Sequence, residues 1–338
     1  MNKITSGLIH ILACCALIYS VAAAQAPPQE LSPRWDSLNQ RLLYHRVSVN
    51  SSFRAIYTAD AQGQGTTSID VLKDFPGSRH AVIQGVEGGP NGSIVATCIL
   101  QYDKRPLKEL ILTYNRDGVL SNIIDIYPYE APTLAVDGEG NIYTFGVRTD
   151  LDPDDPKSVY PTIVKYSPQG AVLATMLPSS SFPPGDYPTE YSQVLGDPLI
   201  RVTPSGIAVF SASTGSYFLL SPEGKILARS GLASINQKVA ERYDFKRGFV
   251  LSSFFDANGN LILRMGLDDG KVAKDAPPPA PGRFQEPLVK LNPPTASITE
   301  LKGNMLQGKS QVIGVDGSSG QIVYAYSEPD GSIRVAKE

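Results

Sequence analysis

Two kinds of tight turn alternate along this chain, and the alternation limits its fold more than any other feature. One kind reads Val136-Asp137-Gly138-Glu139-Gly140-Asn141-Ile142-Tyr143, the other Lys165-Tyr166-Ser167-Pro168-Gln169-Gly170-Ala171-Val172-Leu173. Each joins two short apolar runs. Pro or Asp early and Gly late suits a hairpin, because Gly adopts positive φ without a steric penalty. The flanks are rich in Val, Ile, Leu, Tyr and Phe, residues that fit a pleated, half-buried surface. Turns of the first kind recur at 90–92, 137–140, 203–206, 256–259 and 316–320. Those of the second fall between them, at 115–118, 167–170, 221–224 and 292–294, and Glu328-Pro329-Asp330-Gly331 follows the last of the first kind.

Two alternating hairpins make a four-stranded antiparallel unit, and a unit repeated along a chain means a repeat architecture. Five units are visible from about residue 86 onward. A sixth has to draw on 44–75, where Arg54–Thr58 and Ser68–Leu72 read as strands. Small four-stranded sheets repeated radially form a β-propeller, which leaves only short, protected edges. The expected fold is therefore all-β: a propeller of six blades, with five or seven as alternatives. Ser332-Ile333-Arg334-Val335 is expected to close the ring by completing a sheet begun near the N-terminus. A sandwich does not predict strict alternation of two turn types, and a β-helix needs a shorter, more regular period.

The first 24 residues read as a secretory signal. Lys3 supplies the positive start, Leu8 to Val21 the apolar stretch, and Ala22-Ala23-Ala24 a small-residue cleavage site. The expected protein is thus exported to the periplasm or beyond, with no membrane span once the signal is removed. Residues 25–43 read as an N-terminal segment with a short helix: Ser32-Pro33 begins it, and Trp35, Leu38 and Leu42 fall at helical spacing. The propeller would then occupy 44–338 as one domain. A second helix is expected from Ser234, with Ile235, Val239 and Tyr243 on one face. Cys98 is the one cysteine outside the signal; in the apolar run Ile94–Leu100 it reads as a buried structural thiol.

The repeats resemble those of six-bladed propellers of the NHL-repeat kind. The likeness rests on Ala135–Tyr143 followed by Ile163–Gly170 and extends over roughly 86–336. That family joins the two halves by a short segment bearing Asn and Arg, whereas here 146–161 intervene.

In an up-and-down blade, the first-to-second and third-to-fourth turns share one face of the disc; all other connections share the opposite face. The long segments 101–108, 127–132, 146–161, 178–193, 230–247 and 267–284 all belong to the second set. Long loops on a rigid scaffold are where recognition residues concentrate. These hold Tyr102, Lys104, Arg105, Tyr129, Glu130, Arg148, Tyr187, Glu190, Tyr191 and Arg242, a mixture of aromatics and both charge signs suited to a protein, peptide or glycan. A formal net charge of −3 lends no support to nucleic acid as a partner.

Catalytic signatures are sparse. Outside the signal only His45 and His80 occur, far apart, and Gly-x-Ser-x-Gly is missing. No cofactor is expected, with one exception. Asp150, Asp152 and Asp154 alternate along one segment, and such carboxylates are suitable hard ligands for calcium. The reading is a non-catalytic binding propeller. The alternative is a hydrolase or lyase acting on a carbohydrate or lactone, with loop carboxylates converging on a deep axial pocket.

Overall fold

The computed structural model describes residues 30–47, 55–60, 65–103, 105–152, 155, 157–183, 198–268, 285–301, 310–316, 319–327 and 333–337. Twenty-three strands fall into six antiparallel sheets, each in chain order. Blade one is β1 (Glu30–Asp36), β2 (Arg41–Val47), β3 (Ala55–Ala59) and β4 (Gly65–Asp70); blade two is β5 (Ser78–Gly88), β6 (Ile94–Tyr102), β7 (Arg105–Tyr114) and β8 (Leu120–Asp125). Blade three is β9 (Tyr129–Val136), β10 (Ile142–Arg148), β11 (Pro161–Tyr166) and β12 (Val172–Pro178); blade four is β13 (Leu199–Thr203), β14 (Gly206–Ser211), β15 (Ser216–Leu220) and β16 (Ile226–Gly231). Blade five is β17 (Arg247–Phe255), β18 (Leu261–Asp268), β19 (Leu288–Asn292) and β20 (Ser297–Glu300). Blade six has three strands among the described residues, β21 (Ser310–Val315), β22 (Ile322–Ser327) and β23 (Ile333–Lys337).

The first strand of each blade packs beside the first strand of the next, from β1 through β21 and back to β1. These six strands surround the axis, and the molecule is a six-bladed β-propeller. All nine alternating turns lie where the repeat places them, joining first to second or third to fourth strands.

A shared chemistry builds the first kind of turn. Asp137 Oδ1 accepts from the backbone N–H of Glu139 and Asn141 at 3.0 and 2.9 Å. Asp256 Oδ1 does the same for Asn258 and Asn260 at 2.8 and 2.9 Å. A cation from the third strand of the same blade answers the other carboxylate oxygen: Lys290 stands 2.7 Å from Asp256, Lys337 2.5 Å from Asp316, and Lys165 4.0 Å from Asp137. Gly140 and Gly259 close these turns at φ 84° and 77°, where a β-carbon would be strained. In the second kind, Asn115 or Ser167 accepts from two backbone N–H groups in the same manner.

Two expectations fail at the seam. No helix forms around Trp35, because 30–36 and 41–47 are strands β1 and β2. Trp35 pairs with Leu42 across a turn that leaves Leu38 exposed. Trp35 and Leu42 then bury against Ile313, Val323 and Ala325 of blade six, which outweighs a local helical spacing. The terminal strand also completes no N-terminal sheet. β23 pairs with β22 in its own blade, and blade one supplies its own four strands, so among the described residues blades one and six share no strand and meet by packing. The turn at 328–331 and the signal segment lie outside the described residues.

Apolar side chains fill the wedges between blades. Blades two and three meet through Val95, Ile111, Ile124, Leu134 and Tyr166; blades four and five through Phe210, Tyr217, Leu263 and Val289. Cys98 is buried in the wedge shared with blade one, and burial pushes its thiol up to about 12. The helix expected after Ser234 spans Ile235–Arg242, and Ile235 and Val239 seat it in the blade-four–five wedge. No helix among the described residues is long and apolar enough to cross a membrane.

Candidate functional site

Strand direction segregates the connections as the repeat implies. At one face the described first-to-second and third-to-fourth connections are hairpin turns; β10, β12, β16 and β18 end at the other, where β11, β13, β17 and β19 begin. Two segments expected to be long are short. β6 runs to Tyr102 and β7 starts at Arg105, with Tyr102 and Arg105 paired across the turn, and β9 already begins at Tyr129. Cross-strand pairing extends these strands past the polar residues that resembled loop.

The expected recognition residues divide into separate groups. Tyr102 and Arg105 end blade two, with Lys104 between them outside the described residues. Tyr187, Glu190, Tyr191 and Asp154 also lie outside them. In blade three, Tyr129 and Glu130 pair with Arg148 and Val147. Tyr129 is buried rather than offered to a ligand, its hydroxyl donates to the Thr162 carbonyl, and burial holds its pKa well above the usual range. Glu130 accepts from Gln84 Nε2 at 2.7 Å. Arg148 grips Asp150 through two hydrogen bonds of 2.7 and 2.6 Å, which lower the Asp150 pKa. Arg242 is on the helix before blade five and donates to the Ile298 carbonyl at 2.9 Å, a packing role. Glu130 and Arg148 thus belong to successive cross-strand pairs of blade three, whose side chains take opposite faces of the sheet, while Tyr102 and Arg242 stand on other blades. Among the described residues no group of three or more His, Cys, Asp or Glu side chains is placed to hold a metal ion.

In blade two, Glu109 of β7 is buried, and its Oε2 finds no partner among the described residues. Burial first, then the charges of Glu130 and Asp125, raise its pKa to about 7.

The axis holds a cavity of about 690 Å³ that sequence reading did not furnish with residues. The position two residues before the first turn of each blade recurs around it: Arg34, Glu87, Ala135, Arg201, Phe254 and Gly314, in blade order, all line the wall. Arg34 reaches Glu87 at 3.5 Å and Thr133 Oγ1 at 3.4 Å, while Arg201 donates to the Phe255 carbonyl at 2.9 Å. Burial raises the Glu87 pKa; Arg34 and Arg201 oppose that rise and Asp36 adds to it. The two other lining carboxylates belong to turns. Asp36 accepts from Asn39 and Arg41 at 2.7 and 2.9 Å, and Asp137 from Asn141 and Tyr143 at 2.9 and 3.2 Å. The lining extends to Ser37, Leu38 and Gly138, so the cavity reaches the face with hairpin turns.

No family model matches the chain, and no curated protein matches it. Solved structures share its path at low identity. A glucose dehydrogenase is 13% identical with a TM-score of 0.48, over 93% of this chain and 97% of its own. A gluconolactonase from Xanthomonas campestris is 12% identical with a TM-score of 0.48, over 92% of this chain and 88% of its own. A candidate exported protein from Bacteroides fragilis is 11% identical with a TM-score of 0.48, over 90% of this chain and 85% of its own. At such identities no activity passes from them to this chain.

Proposed function

We propose that this protein is an exported, non-catalytic recognition propeller of the NHL-repeat-like kind, acting in the periplasm or outside the cell. It holds a protein, peptide or glycan against the face that carries its long connections. The segregation of those connections supports the reading: β10, β12, β16 and β18 end, and β11, β13, β17 and β19 begin, on one face, so the long segments between them leave from it and return to it. Tyr102, Lys104, Arg105, Glu130, Arg148, Tyr187, Glu190 and Tyr191 are its contacts, and calcium ligation by Asp150, Asp152 and Asp154 belongs to the same reading.

The polar axis favours the hydrolase or lyase alternative in one respect, since acids do line a deep cavity. Glycoside cleavage by the common route, however, needs two carboxyl groups free to exchange protons. Asp36 and Asp137 are committed to turns, which leaves Glu87 alone.

The test is binding of the labelled protein to immobilised glycan and peptide arrays, repeated with 150–158 or 184–191 replaced by two-residue turns, which spares the buried Tyr160 and Phe182. Binding should disappear in the variants while the melting temperature barely moves; equal binding by both variants overturns the proposal. For calcium, a rise in melting temperature with added Ca²⁺ that Asp152→Asn abolishes is expected, and a wild-type protein indifferent to Ca²⁺ refutes it.

A further inference from the structure

Arg34 and Arg201 occupy the same register position in blades one and four, which face each other across a six-membered ring. Neither guanidinium is used up. The contacts of Arg34 with Glu87 and Thr133 are long, at 3.5 and 3.4 Å, and among the described residues Arg201 donates only to the Phe255 carbonyl. Each carries five N–H donors in a planar fork that matches a carboxylate. Asp36 is matched by Arg41 at 2.9 Å and Asp137 by Lys165 at 4.0 Å, so two guanidiniums against Glu87 leave one positive charge unanswered in the cavity. Walls of low dielectric strengthen that charge.

From this arrangement we infer that the axial cavity is a binding site for a small organic monoanion, whose carboxylate is clamped between Arg34 and Arg201. A volume of about 690 Å³ admits a molecule of sugar-acid size. Glu87 sets the selectivity. It leaves room for one negative charge and opposes a second, so a carboxylate is preferred over a phosphate dianion. Glu87 also competes with the ligand for Arg34. The inference is independent of the recognition face, because the cavity reaches the opposite rim and its test uses no loop variant.

Isothermal titration of the full chain with sodium glucuronate, glucose and inorganic phosphate decides the matter. Glucuronate should bind one molecule per chain, and glucose and phosphate at least about tenfold more weakly, the worth of one charge-assisted hydrogen bond. Arg201→Gln, and separately Arg34→Gln on the facing wall, should each weaken glucuronate by a similar factor, with circular dichroism reporting an intact fold. Glu87→Gln should tighten it, which a merely structural Glu87 does not predict. Wild-type protein that gives no heat with glucuronate, or binds glucose equally well, overturns the site. Folded Arg34 and Arg201 variants that retain wild-type affinity overturn the clamp, and weaker binding by Glu87→Gln overturns the role of that residue.

Discussion

Lys337, near the end of the last strand, stands 2.5 Å from Asp316 at the first turn of the same blade. Its ammonium also lies 4.7 Å from the centre of the Trp35 ring and 2.5 Å from Gln40 Oε1, both in blade one. The last described strand of blade six is therefore fastened to blade one by one side chain.

Lys337→Met should be costly. Asp316 is 2% exposed, and removing its cation strands a buried charge, worth about 3 kcal/mol by analogy with other buried pairs. Equilibrium urea unfolding will show it as a lower midpoint, and Asp316→Asn added to Lys337→Met should recover part of the loss. A single variant as stable as wild type contradicts the clasp.

Asp256 predicts acid sensitivity. Burial opposes its charge, but Lys290, Asn260 and the turn N–H groups outweigh burial and lower its pKa. A depressed carboxylate contributes stability that is complete above its unfolded value, roughly 3.9, and is lost as pH falls through the folded value beneath it. Asp256→Asn should show a shallower loss of melting temperature below about pH 4 than wild type. Identical acid limbs would remove Asp256 from that role.

Glu109 works in the opposite direction. With its pKa raised to about 7, the folded chain binds a proton that the unfolded chain releases near pH 4.3, as a free Glu does. Its contribution therefore declines as pH rises between those values. Glu109→Gln should be the more stable protein at pH 8, by on the order of 1 kcal/mol, with the gain gone near pH 4. Denaturant midpoints at the two pH values supply the comparison, and a variant less stable at both refutes the strain assigned to Glu109.

Cys98 should be inert in the native state. It is 1% exposed and its thiol is pushed up to about 12, so almost no thiolate is available. Ellman's reagent at pH 8 should react only after unfolding; prompt reaction of the folded protein would place this thiol elsewhere.

Most of the ring was legible because the turns are local. Asp137, Gly140 and Ser167 satisfy backbone groups within four residues of themselves, so their spacing carries their structure. Glu130 and Arg148 were singled out as loop residues but lie in paired strands of blade three, and Tyr129 beside them is buried. Whether a strand-end residue faces solvent or a neighbouring blade depends on packing between units, which no local pattern records. Arg34, Glu87 and Arg201 were missed for a related reason. Each is an unremarkable strand charge taken singly, and only the shared offset from the turn, compared across blades, would have marked them.

The sequence by itself determined the repeating four-stranded unit, its two turn chemistries and the segregation of long connections, since all three depend on residues close together in the chain. The tertiary structure alone decided how the ring closes and which charges meet on the axis. Trp35 became a strand residue because blade six offered it a buried surface, and Arg34 came to stand across the axis from Arg201 because three blades of chain curl around between them. Both outcomes come from contacts between distant segments, whose free energy exists only once the ring has formed.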